Sequence, residues 1–288
     1  MYNIEFSPYT FHGRREYNQD YLAAEQLNEN TWIFAVADGM GGANGGELAS
    51  YVAINALINH FEDSSIVLNE TNLKENLGMA VEKAHGAIND EISRDRNLNG
   101  MGTTLVCILI HDNKYVWASI GDSRIYYFNS NEYKQLTTDH SYVQDFMKAK
   151  GEKLPKDILD NYSHILTKCI DGGMEKADLF PTDSNCLQLN EGESFLLCSD
   201  GLLTDRINTN INLFKNFIMG RKDLDEAAKS LVAYAYEMGS DDNISVVLVR
   251  VGVKHIKELK LREFSLPVED SADNKNNLLK RIFNKKYS

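Results

Sequence analysis

The sequence predicts an α+β fold in which helices cover antiparallel β-sheets. Short apolar runs rich in β-branched residues dominate the chain. Several of them follow one another across turns too tight for a crossover, so they pair antiparallel rather than as regular βαβ units. Between the other runs lie segments with the 3.6-residue spacing of amphipathic helices.

Strands are expected at residues 21–27, 31–37, 103–110, 114–120, 124–128, 194–198 and 244–251. The stretch from Thr103 to Phe128 reads as a meander, because Asp112-Asn113 and Gly121-Asp122 supply turn chemistry. A helix over 46–61 places Leu48, Val52, Ala53, Ala56 and Leu57 on one face. A second over 73–92 does the same with Leu77, Val81, Ala84 and Ile88. A third over 223–238 has Asp223 as N-cap and Gly239 as stop. Residues 141–171 are polar and irregular around one helical piece, and are expected to form a surface flap. The domain ends near residue 253; residues 254–288 form a polar extension in which Glu269-Asp270-Ser271-Ala272-Asp273 reads as a linker.

The chain has 288 residues, 43% hydrophobic and 25% charged, enough for a full core. Its formal net charge of -12 argues against a general nucleic-acid binder, which needs a basic stripe. The four cysteines are far apart with no CxxC pair, which fits a reducing compartment, and Cys107 and Cys198 lie in apolar runs as small hydrophobes. No signal peptide and no membrane-length apolar window is visible, so the expected location is cytoplasmic.

Five acidic motifs punctuate these elements: Arg15-Glu16-Tyr17-Asn18-Gln19-Asp20, Ala37-Asp38-Gly39-Met40-Gly41-Gly42, Gly121-Asp122-Ser123-Arg124, Ser199-Asp200-Gly201 and Asp241-Asp242-Asn243. Any one alone reads as an ordinary turn or cap. An acid at the end of a buried strand is costly unless it meets a cation. Several such acids converging in space make an oxygen-rich pocket suited to Mg²⁺ or Mn²⁺ rather than zinc.

With Gly102-Thr103-Thr104 and Asp139-His140-Ser141 between them, these motifs stand in an order that resembles the metal-dependent Ser/Thr protein phosphatases, the PPM or type 2C family, and especially its compact bacterial members. The resemblance runs from about Arg15 to Val251. It implies a four-layer sandwich of two antiparallel β-sheets flanked by helices, with two tightly held Mn²⁺ or Mg²⁺ ions at one end. It implies that Asp38 bridges both metals, that Gly39 offers its carbonyl to the second, and that Asp200 and Asp242 complete the first. Asp20 matches the acid that holds metal-bound water, and Arg15 the arginine that grips the substrate phosphate. Asp122 and Asp200 resemble a pair that holds a third, weaker metal. The elementary chemistry agrees: paired divalent ions supply hydroxide near neutral pH, and a planar guanidinium grips phosphate oxygens two at a time.

Two positions depart from the animal pattern. Gln19 stands where a metal-ligating Glu is found, so the second metal rests on Asp38, Gly39 and waters. Met40 replaces a histidine proposed as general acid, which leaves protonation of the leaving group to metal-bound water. His140 reads as a structural hydrogen-bonder. No cysteine is followed six positions later by arginine, and no GxxxxGK[ST] or HExxH occurs, which excludes rival chemistries.

The leading reading is therefore a phosphatase acting on phosphoserine and phosphothreonine in proteins, with a cognate Ser/Thr kinase as a further partner and a monomeric chain. The alternative is a non-catalytic relative that scaffolds phosphoproteins; degenerate members of that kind lose metal aspartates, and here Asp38, Asp200 and Asp242 all stand. In the tail, Leu278, Leu279, Ile282 and Phe283 recur at helical spacing among Lys280, Arg281, Lys285 and Lys286. It reads either as a solvated terminus or as a basic amphipathic segment, and any membrane contact is expected only there.

Overall fold

The apolar alternation of the sequence becomes three buried layers in the computed structural model, which describes residues 2–252 except 152–154, 156–160, 163, 204–210 and 222. In chain order the first strands are β1 (Ile4–Phe11), β2 (Asp20–Asn28) and β3 (Thr31–Met40), followed by helices α1 (Gly42–Glu62) and α2 (Leu73–Arg94). Strands β4 (Gly102–Thr103), β5 (Leu105–His111), β6 (Lys114–Ile120), β7 (Arg124–Phe128) and β8 (Tyr133–Gln135) come next, then α3 (Tyr142–Lys150). The chain continues through β9 (Asp178–Phe180), β10 (Leu187–Gln188), β11 (Ser194–Cys198), α4 (Ile211–Gly220), α5 (Leu224–Glu237) and β12 (Ile244–Val251).

Every strand pair is antiparallel. One sheet runs β1-β12-β11-β7-β8; the other runs β10-β6-β5-β3-β2, with β4 and β9 joined at its margin. Because side chains alternate across a strand, β3 feeds two cores at once. Ile33, Ala35 and Ala37 face α1 and α2, meeting Ala53, Leu57 and Leu77. Trp32, Phe34 and Val36 face the other sheet, meeting Phe195, Leu197 and Val247. On the far side Tyr126, Leu196 and Leu248 meet Phe214, Phe217 and Leu231 of α4 and α5. The result is a four-layer sandwich, as expected. Each large side chain buried in it contributes on the order of 1.5–3 kcal/mol, and both sheets must be covered on both faces to collect that gain.

Several boundaries differ from the sequence expectation. The strand expected over 103–110 is split at Thr104, whose N–H donates to the Asp38 carbonyl at 2.8 Å and whose Oγ1 accepts the Asp38 N–H at 3.0 Å. Those bonds tie Thr104 to the site and turn β4 away from β5. Helix α1 begins at Gly42, four residues earlier than expected, because Gly41 at φ 130° lets the chain turn directly out of β3. Asp223 caps α5 as anticipated, its Oδ1 accepting the N–H groups of Asp225 and Glu226 at 2.8 and 3.2 Å. The extension at 254–288 and its basic segment lie outside the described residues.

Candidate active site

The five acids singled out above come from both sheets and meet at one end of the sandwich. Asp20 is the first residue of β2 and stands opposite Asp38 of β3 in the antiparallel register. Asp200 follows β11 at the start of a single 3₁₀ turn, Asp200–Leu202. Asp242 lies just before β12, and Asp122 sits in the turn from β6 to β7. Glycine makes this convergence possible. A side chain at Gly39 would strike the Gly46 carbonyl oxygen at 1.9 Å, and one at Gly201 would strike the Asn243 carbonyl oxygen at 1.9 Å. Any Cβ would push these backbones apart.

The loop bearing Arg15 is docked by Asn243. Its Oδ1 accepts the Gln19 N–H at 2.9 Å, and its Nδ2 donates to the carbonyls of His12 and Tyr17, both at 2.9 Å. Arg15 Nε then donates to the Asp241 carbonyl at 2.8 Å, and its Nη2 pairs with Asp242 Oδ2 at 2.9 Å. The guanidinium side chain remains 54% exposed, open to a ligand from solvent. Arg14 does different work: it stacks its guanidinium 4.2 Å from the Tyr236 ring centroid and donates to the carbonyls of Tyr236 and Ser240.

Electrostatics betray how tightly the acids are gathered. Burial raises the Asp38 carboxyl well above the usual range, and Asp20, Asp200, Asp122 and Asp242 each raise it further. Burial is also the main cause that carries Asp20 up to about 7; the hydroxyls of Ser245 and Ser199 oppose it, and Asp200 and Asp242 reinforce it. Asp122 is likewise pushed up to about 7, first by burial and then by Asp200 and Asp139. Asp200 is raised by burial and by Asp242, against a hydrogen bond with Asp38, the Gly201 N–H and Arg15. Charges of one sign this close are unfavourable by themselves and call for a cation.

Two orphaned atoms test that fit. Asp20 Oδ1 and Asp200 Oδ1 are both buried without a hydrogen-bond partner. A bare carboxylate oxygen is expensive to bury, and oxygen donors are what Mg²⁺ and Mn²⁺ prefer. Among the described residues no three His, Cys, Asp or Glu side chains form a closed metal-ligating group. What the site offers is acids in electrostatic contact, two of them with bare buried oxygens, and that donor set suits hard divalent cations.

The remaining expected residues take supporting places. Gln19 Nε2 donates to the Gly42 carbonyl at 3.0 Å, so its side chain secures the start of α1. His140 Nδ1 accepts the Gly121 N–H at 3.1 Å and its Nε2 faces Asp178 Oδ2 at 3.2 Å, the structural role expected of it. Arg124 grips Asp139 with two bonds of 2.8 and 2.6 Å and so anchors the hairpin that displays Asp122. Sequence reasoning gave no role to Ser199, Thr104, Ser245 or Asn243. The available signal was a hydroxyl or amide inside an apolar run, which a core position does not favour unless it has a bonding task.

Residues 12–234 match the family model described as "Protein phosphatase 2C". The chain is 30% identical over 238 residues to the serine/threonine phosphatase stp of Listeria welshimeri, covering 82% of this chain and 90% of that protein. It is 32% identical over 239 residues to the protein phosphatase PhpP of Streptococcus pneumoniae, covering 82% and 92%. A crystal structure of the catalytic domain of the serine threonine protein phosphatase PstP in complex with two manganese ions superposes with a TM-score of 0.72 at 28% identity, covering 88% of this chain and 100% of that one.

Proposed function

The chain belongs to the protein phosphatase 2C family, and from that premise we propose that Arg15, Asp20, Asp38, Gly39, Asp122, Asp200 and Asp242 carry its chemistry. The reaction is the metal-dependent hydrolysis of phosphoserine and phosphothreonine in proteins, with Mn²⁺ or Mg²⁺ as cofactor. The observation that supports these assignments best is the pair of bare, buried oxygens, Asp20 Oδ1 and Asp200 Oδ1, among acids that raise one another's pKa.

In this reading Asp38 would serve two divalent cations, with Asp200 and Asp242 for one and the Gly39 carbonyl for the other, and Asp122 with Asp200 would hold a weaker third. Bound there, the ions would supply water acidified toward hydroxide near neutral pH and would screen the phosphate charge. Asp20 would orient the attacking water. Arg15, held at two points yet open to solvent, receives the phosphate oxygens and keeps phosphorus in line with that water. Met40 has no proton to give, so the departing serine or threonine oxygen takes its proton from water. Phosphoproteins are the substrates; a cognate kinase as dedicated partner and a monomeric chain belong to the same proposal. Among the described residues no helix is long and apolar enough to cross a membrane.

Asp38→Asn removes the shared charge and is expected to reduce turnover of both a phosphopeptide and a small aryl phosphate by several orders of magnitude. EDTA should do the same to the native chain, with Mn²⁺ restoring activity. Turnover that persists undiminished in chelator would falsify the metal-dependent mechanism.

A further inference from the structure

Ser199 stands between the end of β11 and Asp200, and its side chain is fully buried. Its hydroxyl donates to Asp20 Oδ2 at 2.7 Å, and its oxygen accepts the backbone N–H of Ser245 at 3.0 Å. An ionised carboxylate can only accept, so the single Ser199 proton goes to Asp20 Oδ2, while a lone pair of the same oxygen takes the Ser245 N–H.

The backbone behind Asp20 is held in the same manner. Asn18 Oδ1 accepts the Asp20 N–H at 3.1 Å, and Asn18 Nδ2 donates to Thr10 Oγ1 at 2.8 Å. Thr10 and Ser245 share a hydroxyl–hydroxyl bond of 2.7 Å. Asp20 belongs to one sheet, whereas Ser245 and Thr10 belong to the other and Ser199 directly follows that sheet's β11. One oxygen of Asp20 is therefore sealed by a directed donor across the sandwich, while Oδ1 stays buried without a partner among the other acids.

We propose that Ser199 is a positioning residue for the metal centre: its only proton fixes Oδ2 of Asp20 and thereby presents Oδ1 to the cations. The inference rests on the assignment of Asp20 and Asp38 made above. Partners in this outer position commonly carry about 10–100-fold in metal affinity or activity.

The test is calorimetric titration of the full chain with Mn²⁺ alone. Ser199→Ala, checked for native circular dichroism, is expected to weaken Mn²⁺ binding about tenfold or more. Ser199→Cys, close in size but a weaker donor, should fall between Ala and the native chain. At saturating Mn²⁺ the loss should appear in kcat on a phosphopeptide, with KM little changed, because Arg15 is untouched. Native Mn²⁺ affinity in Ser199→Ala, or a Cys variant as weak as Ala, overturns the proposal. If the Ala variant does not fold, the Cys variant decides alone, and native affinity there overturns it. Asp38→Asn is titrated alongside. If it binds Mn²⁺ weakly while Ser199→Ala binds normally, only the role of Ser199 is lost; if it too binds normally, the site assignment falls as well.

Discussion

Arg15 differs from its neighbour Arg14 by where each finds oxygen. Arg14 is spent on the carbonyls of Tyr236 and Ser240 and on the Tyr236 ring. Arg15 is tethered to Asp241 and Asp242 at the mouth of the site and left mostly in solvent. Arg15→Ala should therefore raise KM for a phosphopeptide about tenfold or more, since a charge-assisted clamp is worth roughly 1.5–3 kcal/mol. Its effect on Mn²⁺ binding should be small by comparison. Steady-state kinetics at low substrate check this, and native KM in the variant would remove Arg15 from the phosphate site. At this scale the sequence was easy to read for acids and hard to read for hydroxyls. Asp38 and Asp200 announce themselves by ending apolar runs. Ser199 and Ser245 sit inside or beside such runs, and a serine there says nothing about which carboxylate it reaches across the sandwich.

Elements were legible in proportion to how strictly their burial alternates. Strands β6, β7, β11 and β12 fall on the residues expected, because both of their faces are covered and their composition is unmistakable. Strand β1 was missed. Pro8 in its middle argues against a strand, yet among the described residues β1 is the sheet's edge and pairs with β12 alone, where a missing N–H costs nothing. Helix α4 was missed because it is short and interrupted by Asn212 and Asn216, although Phe214, Phe217 and Ile218 carry the right spacing. Strand β12 closes the described chain: all eight of its residues are buried, it pairs with β1 and β11, and Gly252 N–H still reaches the Asn3 carbonyl at 2.8 Å. Removing residues 254–288 should accordingly leave turnover of a small aryl phosphate unchanged within about twofold and leave the thermal midpoint within a few degrees. An insoluble or inactive truncated protein would make the extension part of the catalytic domain.

The whole molecule balances a set of like charges, and that balance should be visible in its stability. Asp20 and Asp122 titrate near 7 in the folded chain, against 3.8 for the free side chain. Between those values the folded protein holds protons that the unfolded chain has lost. Each step up in pH across that window therefore removes stability, which is fully present only below the unfolded value. With chelator present, the melting temperature should fall between about pH 5 and about pH 7.5, and Asp20→Asn should flatten the decline. Excess Mn²⁺ should abolish it, since a cation that binds only the folded chain raises its stability by mass action. A chelated protein whose melting temperature holds or climbs over that range would mean the acids are less tightly coupled than they stand here.

The division of the acids between two sheets has a mechanical consequence. Asp20 and Asp38 ride on one jaw and Asp200 and Asp242 on the other, and the gap between the jaws is set by the filling: Phe34 against Phe6, ring centroids 5.3 Å apart, with Phe195 and Val247 alongside. Close-packed filling transmits displacement rather than absorbing it. A smaller side chain deep in that layer would alter the bite at the end of the molecule as well as costing core stability. Those buried side chains thus set the site as well as the core, as shims set a calliper.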